Sequence, residues 1–269
     1  MQQTGDIISN KKEGLDVLIV MPAFNEERNL PLVIENIRSK VPDSDILVVD
    51  DGSADRTARA AEKAGAMAIR LPFNLGYGAA LQTGFKYSLM KRYRYVVQMD
   101  ADGQHDPDSI NLLLEEIKKE DADVVIGSRF LSPDSNYKAP FPRRVGITLF
   151  RRIVSFIIHQ KITDPTSGFQ ALNRDAVRFY ASPYYPVDYP DADTIIMLHR
   201  AGLRIKEVPV LMHPSPGRKS MHSGLKPVYY IFKMFLSMFV TLLRKDKFEK
   251  RIIKKEDIPY DAPTKDIRH

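Results

Sequence analysis

Short apolar runs alternate with longer segments of mixed polarity through the first half of the chain. This is the pattern of strands that alternate with helices. We predict strands at 17–21, 46–49, 67–71, 95–99 and 124–127, and helices at 26–40, 55–64, 78–90 and 107–119. Such alternation predicts an α/β fold with a mostly parallel central sheet flanked by helices.

The second half of the chain is less regular. Its pattern predicts helices at 145–159 and 192–202, a strand at 204–210, and loops at 132–142, 164–169 and 214–224. We therefore divide the chain into a polar tail (1–14), one α/β domain (15–224), an amphipathic helix region (225–253) and a second polar tail (254–269).

Length and composition narrow the classes of function. A chain of 269 residues with 43% hydrophobic and 28% charged residues can bury a sizeable core. The net charge of +6 indicates an anionic partner, which could be a nucleic acid, a phospholipid surface or a phosphorylated substrate. The chain has no cysteine, which excludes disulfides and thiolate metal sites. It shows neither a secretory signal nor an apolar run long enough to span a bilayer, so we expect it to stay in the cytoplasm.

Two acidic clusters follow predicted strands. Asp100 and Asp102 come directly after 95–99, and Asp50 and Asp51 come directly after 46–49. Ligands of open parallel sheets bind at the carboxyl ends of the strands. Carboxylates two residues apart can hold Mg²⁺ or Mn²⁺ against a diphosphate, since hard cations take oxygen ligands. The alternative for each cluster is an ordinary turn, because Asp and Gly are common turn formers.

Other polar residues at predicted strand ends suit a nucleotide. The segment 22–26 offers a ring, an amide and a carboxylate that could stack on a base and bond a ribose; alternatively, Asn25 caps the following helix. Asn74 and Gly78 frame a glycine-rich turn that allows close approach of a sugar nucleotide or merely starts a helix. This turn lacks the third glycine of a dinucleotide fingerprint, which argues against a Rossmann dehydrogenase.

Clustered cations could bind phosphate. Arg129, Arg143 and Arg144 carry guanidinium groups that match phosphate oxygens, although a solvated basic face is the alternative. The basic loop at 214–224 could close over a diphosphate or be a plain surface loop. Asp191 and Asp193 begin a predicted helix, where carboxylates also favour the helix dipole. The histidines lack paired metal-ligand spacing, and we interpret most of them as structural or facing solvent.

The segment 228–243 is unusually apolar for a surface helix. Lys233, Ser237, Thr241 and Lys245 fall four residues apart and make one polar stripe on it. With the apolar helix at 145–159 and the basic run that follows, it is typical of a helix lying on an anionic membrane surface. The alternative is burial in a homo-oligomer or against a small membrane-protein partner.

Five motifs in this chain occur in the order seen in family 2 glycosyltransferases. They are Pro22-Ala23-Phe24-Asn25-Glu26, Asp50-Asp51-Gly52-Ser53, Asp100-Ala101-Asp102-Gly103-Gln104, Gly127-Ser128-Arg129 and Ser167-Gly168-Phe169. The chain most resembles the dolichyl- and polyprenyl-phosphate sugar transferases of that family, over about residues 16–224. The resemblance implies a GT-A fold with a Rossmann-like nucleotide-binding half joined to an acceptor half.

The resemblance also implies roles for individual residues. Those expected at the nucleotide are Pro22, Ala23, Phe24, Asn25, Glu26, Asp50, Asp51, Asn74 and Gly78. Mg²⁺ or Mn²⁺ is expected on Asp100, Asp102 and Gln104, and the acceptor phosphate on Arg129 with Arg143 or Arg144. The donor diphosphate is expected under Arg218, Lys219 and Ser220. Relatives often carry Tyr at the position of Phe24, and many bacterial relatives end in spanning helices that this chain lacks.

The expected function is metal-dependent, inverting transfer of a sugar from a UDP- or GDP-sugar to a polyprenyl phosphate, undecaprenyl or dolichyl. Asp100, Asp102 and Arg218 would be the catalytic residues. The reaction would take place at the cytoplasmic face of the membrane. A hydroxyl acceptor would instead need a base, for which Asp191 and Asp193 are the candidates. The alternatives are a family 2 enzyme that extends a saccharide in cell-wall or surface polysaccharide synthesis and a non-catalytic nucleotide-binding membrane scaffold. We expect no nucleic-acid partner, because the basic groups accompany aliphatic faces rather than stacking aromatics.

Overall fold

A computed structural model describes residues 16–131, 141–183, 185–186, 192–213 and 226–243, with the backbone alone at 141–143 and 226–234. Several predicted site residues therefore lie outside the described residues: Asp191, Arg218, Lys219, Ser220 and the side chain of Arg143.

The described part of the chain forms the predicted strands and helices in the predicted order, with one further strand and one further helix between residues 170 and 181. The strands are β1 (Val17–Ala23), β2 (Asp45–Asp50), β3 (Met67–Arg70), β4 (Tyr95–Gln98), β5 (Val124–Ser128), β6 (Gln170–Asn173) and β7 (Ile205–Pro209). The helices are α1 (Leu30–Lys40), α2 (Thr57–Lys63), α3 (Tyr77–Met90), α4 (Asp108–Ile117), α5 (Phe141–Ile158), α6 (Arg174–Ala181), α7 (Ala192–Arg200) and α8 (Lys226–Leu243).

The strands make one sheet in the order β3-β2-β1-β4-β6-β5-β7. All neighbouring pairs are parallel except those of β6, which runs antiparallel to β4 and to β5. The prediction of a mostly parallel sheet flanked by helices is confirmed. The sequence pattern predicts neither β6 nor α6. The four residues of β6, Gln-Ala-Leu-Asn, include no β-branched side chain to mark a strand.

Helices cover both faces of the sheet, which explains why its strands are apolar at consecutive positions. In β1, Leu18 and Val20 belong to one buried cluster, which includes residues of α3, α5, α6 and α7. The intervening Ile19 and Met21 belong to the other cluster, which includes residues of α1 and α4. The burial of β1 on both sides holds the loops at its end in fixed positions.

The strand order reverses between β1 and β4, which lie side by side at the centre of the sheet. In open α/β sheets ligands bind at such a switch point, outside the carboxyl ends of the strands. Ala23 at the end of β1 pairs with Asp50 at the end of β2, and Val20 pairs with Gln98 at the end of β4. The segment 22–26 and both acidic clusters therefore lie at one edge of the sheet.

Helix α8 packs against α7 through its polar side. Ser237 donates a hydrogen bond to the carboxylate of Asp193, and Arg200 donates one to the carbonyl oxygen of Thr241. Thr241 is buried, whereas Leu236 is 50% exposed and Phe239 is 59% exposed. Ser237 and Thr241 of the predicted polar stripe thus face the protein, and Leu236 and Phe239 lie on the exposed side of α8. Among the described helices, none is both long and apolar enough to span a membrane.

Candidate active site

The acidic loop that follows β4, residues 100–105, holds two carboxylates at the switch point. The side chain of Asp100 is 32% exposed, and that of Asp102 is half-buried. The loop folds back on itself, because Asp102 Oδ1 accepts from the backbone N–H of Gln104 at 3.0 Å. The carbonyl oxygen of Gln104 in turn accepts from the N–H of His213 at 2.7 Å, which ties the loop to the chain beyond β7.

Asp100 has two side-chain neighbours, Tyr77 and His105, that were not among the predicted site residues. The hydroxyl of Tyr77 donates to Asp100 Oδ1 at 2.8 Å, and His105 Nε2 lies 3.8 Å from Asp100 Oδ2. His105 is buried and stacks on Phe169, with ring centroids 4.7 Å apart. Burial lowers the pKa of His105 below its ordinary value, which favours the neutral imidazole, and its Nδ1 accepts from the N–H of Asp100 at 3.3 Å.

Burial of the Tyr77 hydroxyl, and then the charge of Asp100, raises the pKa of Tyr77 well above its ordinary value. Tyr77 therefore remains protonated and can donate. Its position between two glycines at the start of α3 is the sequence signal that could have identified it, since small neighbours leave the ring room to approach the sheet edge.

The two carboxylates after β2 fix neighbouring loops. Asp51 accepts from the backbone N–H groups of Leu75 and Gly76, at 2.7 and 2.9 Å, and so holds the segment that enters α3. Asp50 accepts from the N–H of Ser53 at 2.9 Å, and Arg70 Nε lies 3.7 Å from it. Separate donors thus stabilise two adjacent buried charges. Direct contact of Asp50 or Asp51 with a nucleotide stays a prediction.

The segment 22–26 is bound to the loop between β2 and α2. The N–H of Asn25 donates to Ser53 Oγ at 2.9 Å, and Asn25 Oδ1 accepts from the N–H of Ala54 at 3.0 Å. Asn25 does not cap α1, which begins only at Leu30. Phe24 is 45% exposed and offers a ring at this edge of the sheet.

Glu26 instead accepts hydrogen bonds from the residues at the start of helix α1. The carbonyl oxygen of Glu26 accepts from the N–H groups of Asn29 and Leu30, and its side chain accepts from Asn29 Nδ2 at 2.7 Å. Glu26 is buried, as are Pro22 and Ala23 at the end of β1. Any nucleotide contact of Glu26 stays a prediction.

Gly52 allows the backbone of Phe73 and Asn74, just before α3, to pass close to the loop that holds Asp50 and Asp51. Its φ is +69°, and a Cβ atom there would lie 2.5 Å from the carbonyl carbon of Phe73 and 2.7 Å from the nitrogen of Asn74. A larger residue would displace this segment. Asn74 is exposed beside the cluster, and Gly78 is buried in the first turn of α3.

Arg129, predicted to receive the acceptor phosphate, forms a buried ion pair. Its Nε and Nη2 atoms each lie 2.6 Å from an oxygen of Asp164, and Nη2 also donates to Thr166 Oγ1 at 2.8 Å. Arg129 is 5% exposed and Asp164 is fully buried. Arg144, by contrast, is exposed in the first turn of α5. A phosphate role for either arginine stays a prediction.

Glu207 holds the loop that carries Asp164. It accepts from the N–H groups of Thr163 and Asp164, each at 2.8 Å. Burial raises the pKa of Glu207, although these hydrogen bonds oppose the shift. The pairing of the 163–167 loop with β5 and β7 was not evident from the sequence, because its members lie more than thirty positions apart.

Asp193, a predicted base for a hydroxyl acceptor, is 2% exposed at the start of α7. One of its oxygens accepts from the N–H of Thr194 at 2.9 Å, and the other accepts from Ser237 of α8. In this position the carboxylate joins two helices.

The acidic loop suits a cation that is shared with a substrate. Within the described ranges, no group of three or more His, Asp or Glu residues is arranged to hold a metal by itself. Asp100, Asp102 and the amide of Gln104 supply oxygen donors at an accessible edge. Mg²⁺ and Mn²⁺ often take their remaining ligands from phosphates and water. The donor set therefore fits a divalent cation bound together with a diphosphate.

Comparison with known proteins identifies the family of the chain. The family model "Glycosyl transferase family 2" matches residues 18–180. An undecaprenyl-phosphate mannosyltransferase of Micrococcus luteus is 34% identical over 223 residues, which cover 78% of this chain and 88% of that protein. A UDP-N-acetylglucosamine–dolichyl-phosphate N-acetylglucosaminyltransferase of Methanococcus voltae is 28% identical over 213 residues. The match covers 72% of this chain and 84% of that protein.

Among solved structures, glucosyl-3-phosphoglycerate synthase from Mycobacterium tuberculosis in complex with Mn²⁺ and UDP-glucose superposes with a TM-score of 0.61. Its sequence is 20% identical, and the match covers 83% of this chain and 79% of that one. This likeness establishes the GT-A fold. The matched family model spans more than half of the sequence and includes β1 to α6, so the chain belongs to glycosyl transferase family 2 and is a nucleotide-sugar-dependent glycosyltransferase.

Proposed function

We propose that the protein transfers a sugar from a nucleoside diphosphate to a polyprenyl phosphate at the cytoplasmic face of a membrane, with Mg²⁺ or Mn²⁺ and with inversion at the anomeric carbon. The observation that carries the proposal is the part-exposed carboxylate pair Asp100 and Asp102 at the switch point of the sheet. The lipid acceptor is supported by the relatives, whose names include undecaprenyl and dolichyl phosphates.

In this proposal Asp100, Asp102 and Gln104 hold the cation, which would offset the negative charge that develops on the departing nucleoside diphosphate. The exposed ring of Phe24 provides a stacking surface for the base, and Asn25 holds that loop in place through Ser53 and Ala54. Arg218, Lys219 and Ser220, which lie outside the described residues, would cover the diphosphate.

A phosphate acceptor needs no strong base, because it is already an anion when it attacks. The surroundings of Asp193 support this choice of acceptor. Its two oxygens accept hydrogen bonds from Thr194 and Ser237, and it is nearly inaccessible to solvent. A carboxylate so engaged is poorly placed to take a proton from a sugar hydroxyl.

The acceptor can be tested directly. The protein is incubated with Mn²⁺, a panel of UDP- and GDP-sugars, and either a short polyprenyl phosphate or an oligosaccharide. We expect sugar to be transferred to the polyprenyl phosphate with one donor of the panel. Transfer only to the oligosaccharide would replace the proposal with saccharide extension. Binding of a donor without turnover on either acceptor would instead support a nucleotide-binding scaffold.

The exposed sides of α5 and α8 support membrane contact. The two helices pack together, with the rings of Phe150 and Phe235 centred 5.4 Å apart. Large apolar side chains on both remain exposed: Val145, Leu149, Phe156, Leu236, Phe239, Val240, Leu242 and Leu243. Arg144 and Arg152 are exposed on the same helix as Phe156. Apolar surface beside cations suits an anionic lipid surface.

We expect Phe239→Glu to weaken binding to vesicles that contain phosphatidylglycerol. Full burial of a phenylalanine side chain is worth about 1.5–3 kcal/mol, so the partition coefficient should fall by about tenfold or more. Leu32→Glu is the matched control, since Leu32 is 62% exposed on α1 and the substitution adds the same charge. Vesicle co-sedimentation measures both. Equal loss in the two variants would indicate general electrostatic repulsion and would contradict contact through α8.

A further inference from the structure

We propose that Tyr77 is a positioning residue of this site, and that its hydroxyl fixes the Asp100 carboxylate in the orientation that receives the cation and the donor diphosphate. This inference rests on the proposed function, since it assigns the cation to Asp100 and Asp102. It adds a residue that lies in none of the motifs on which the resemblance was based.

The Tyr77 hydroxyl accepts one hydrogen bond and donates another. Gln98 Nε2 donates to the Tyr77 hydroxyl oxygen at 3.3 Å, and the hydroxyl donates to Asp100 Oδ1 at 2.8 Å. Gln98 is 2% exposed and lies on the last position of β4. With Oδ1 held in this way, the carboxylate loses its freedom to rotate, and Oδ2 and the other lone pair of Oδ1 remain to coordinate a cation.

The hydroxyl also has a dedicated space. A Cβ atom built on Gly168 would lie 2.8 Å from the Tyr77 hydroxyl oxygen and 3.7 Å from Asp100 Oδ1. Gly168 does not have the positive φ that would by itself favour glycine. The close approach of Tyr77 is therefore the physical reason for a glycine here, and it connects the Ser167-Gly168-Phe169 motif to the acidic loop.

The backbone of Tyr77 is fixed from the other acidic cluster. Tyr77 is the first residue of α3, and the two residues before it donate their N–H groups to Asp51. Asp51 thus sets where α3 begins, the start of α3 places the Tyr77 ring, and the hydroxyl orients Asp100. The two acidic strand ends are linked through this one side chain.

The expected effect follows from the general behaviour of groups that orient metal ligands. Loss of a hydrogen bond to a ligating group typically lowers metal affinity by about 10–100-fold. We therefore expect Tyr77→Phe, which keeps the ring, to weaken Mn²⁺ binding by about tenfold or more. Gly168→Ala should have a similar effect, because the added methyl group would displace the hydroxyl.

Mn²⁺ affinity is measured by electron paramagnetic resonance on the full chain, with saturating UDP and separately with GDP. Tyr87→Phe is the matched control, because Tyr87 lies on the same helix and its hydroxyl contacts the sulfur of Met67. Asp102→Ala serves as the reference for a lost ligand. Thermal unfolding of each variant establishes that it is folded at the temperature of the titration.

A tenfold loss in Tyr77→Phe with no change in Tyr87→Phe would support the inference. Wild-type affinity in both Tyr77→Phe and Gly168→Ala, together with a loss in Asp102→Ala, would overturn it and leave the proposed function standing. Wild-type affinity in Asp102→Ala as well would remove the cation from this loop, and the proposed function would fail with it.

Discussion

Replacing Asp102 with alanine should abolish sugar transfer while leaving the protein folded. The carboxylate is half-buried in the acidic loop and accepts a hydrogen bond from the N–H of Gln104 at 3.0 Å, so its loss should cost only about 0.5–1.5 kcal/mol of stability. A divalent cation contributes several kcal/mol to stabilising a leaving diphosphate, and about 4 kcal/mol corresponds to a rate loss of about 10³-fold. The measurement is the turnover number with a nucleotide sugar, Mn²⁺ and a polyprenyl phosphate.

Asp108→Ala is the control for this substitution. Asp108 begins α4 a few residues away and pairs on the surface with Lys40, at 2.7 Å. It should retain nearly full activity, since a surface ion pair contributes about 0–1 kcal/mol and Asp108 lies outside the acidic loop. A chelator such as EDTA should inactivate the wild-type enzyme and the control alike. Full activity of Asp102→Ala would exclude the carboxylate pair as the cation site.

Replacing Asp164 with alanine should produce the largest loss of stability. Asp164 is fully buried and accepts two hydrogen bonds from the guanidinium group of Arg129, so its removal takes away the carboxylate of a buried ion pair. Breaking a buried pair in this way costs about 3–5 kcal/mol. The free energy of unfolding, measured by urea denaturation, should fall by that amount.

Two further variants isolate the cause of this loss. Asp175→Ala removes a carboxylate whose ion pair with Arg178 lies near the surface, and it should cost no more than about 1 kcal/mol. The double variant Arg129→Met with Asp164→Leu should be more stable than Asp164→Ala, because it replaces both members of the buried ion pair with apolar side chains. If the double variant were the less stable of the two, the loss would have to come from packing of the 163–167 loop.

Much of the fold could be predicted from the sequence because a buried parallel sheet has a simple signature. Strands β1, β2 and β4 are covered on both faces, so they read as mainly apolar runs, and acidic residues mark the ends of β2 and β4. The reversal at β6 could not be predicted in this way. Its four residues are too few and too mixed in polarity to predict a strand.

The sequence predicts which loops form the candidate site. It does not predict the contacts of individual side chains, because those contacts depend on tertiary structure. The sequence places Asp51 at a strand end, but its bonds to the N–H groups of Leu75 and Gly76 depend on how the next loop returns. Arg129 looked available for phosphate because its partner Asp164 is 35 positions away. Periodicity identified the polar side of α8 and left open which way that side faces.

The attachment of α8 to α7 has a kinetic consequence for an enzyme with a lipid acceptor. Hydrogen bonds at Ser237 and Thr241 oppose rotation of α8 about its own axis, so its exposed apolar side keeps one orientation on the protein. On the proposed function, that side lies against the membrane. On the proposed function, enzyme and acceptor then meet by lateral diffusion in two dimensions. The rate should follow the mole fraction of polyprenyl phosphate in the vesicle, and adding inert phospholipid at constant total acceptor should slow it by surface dilution.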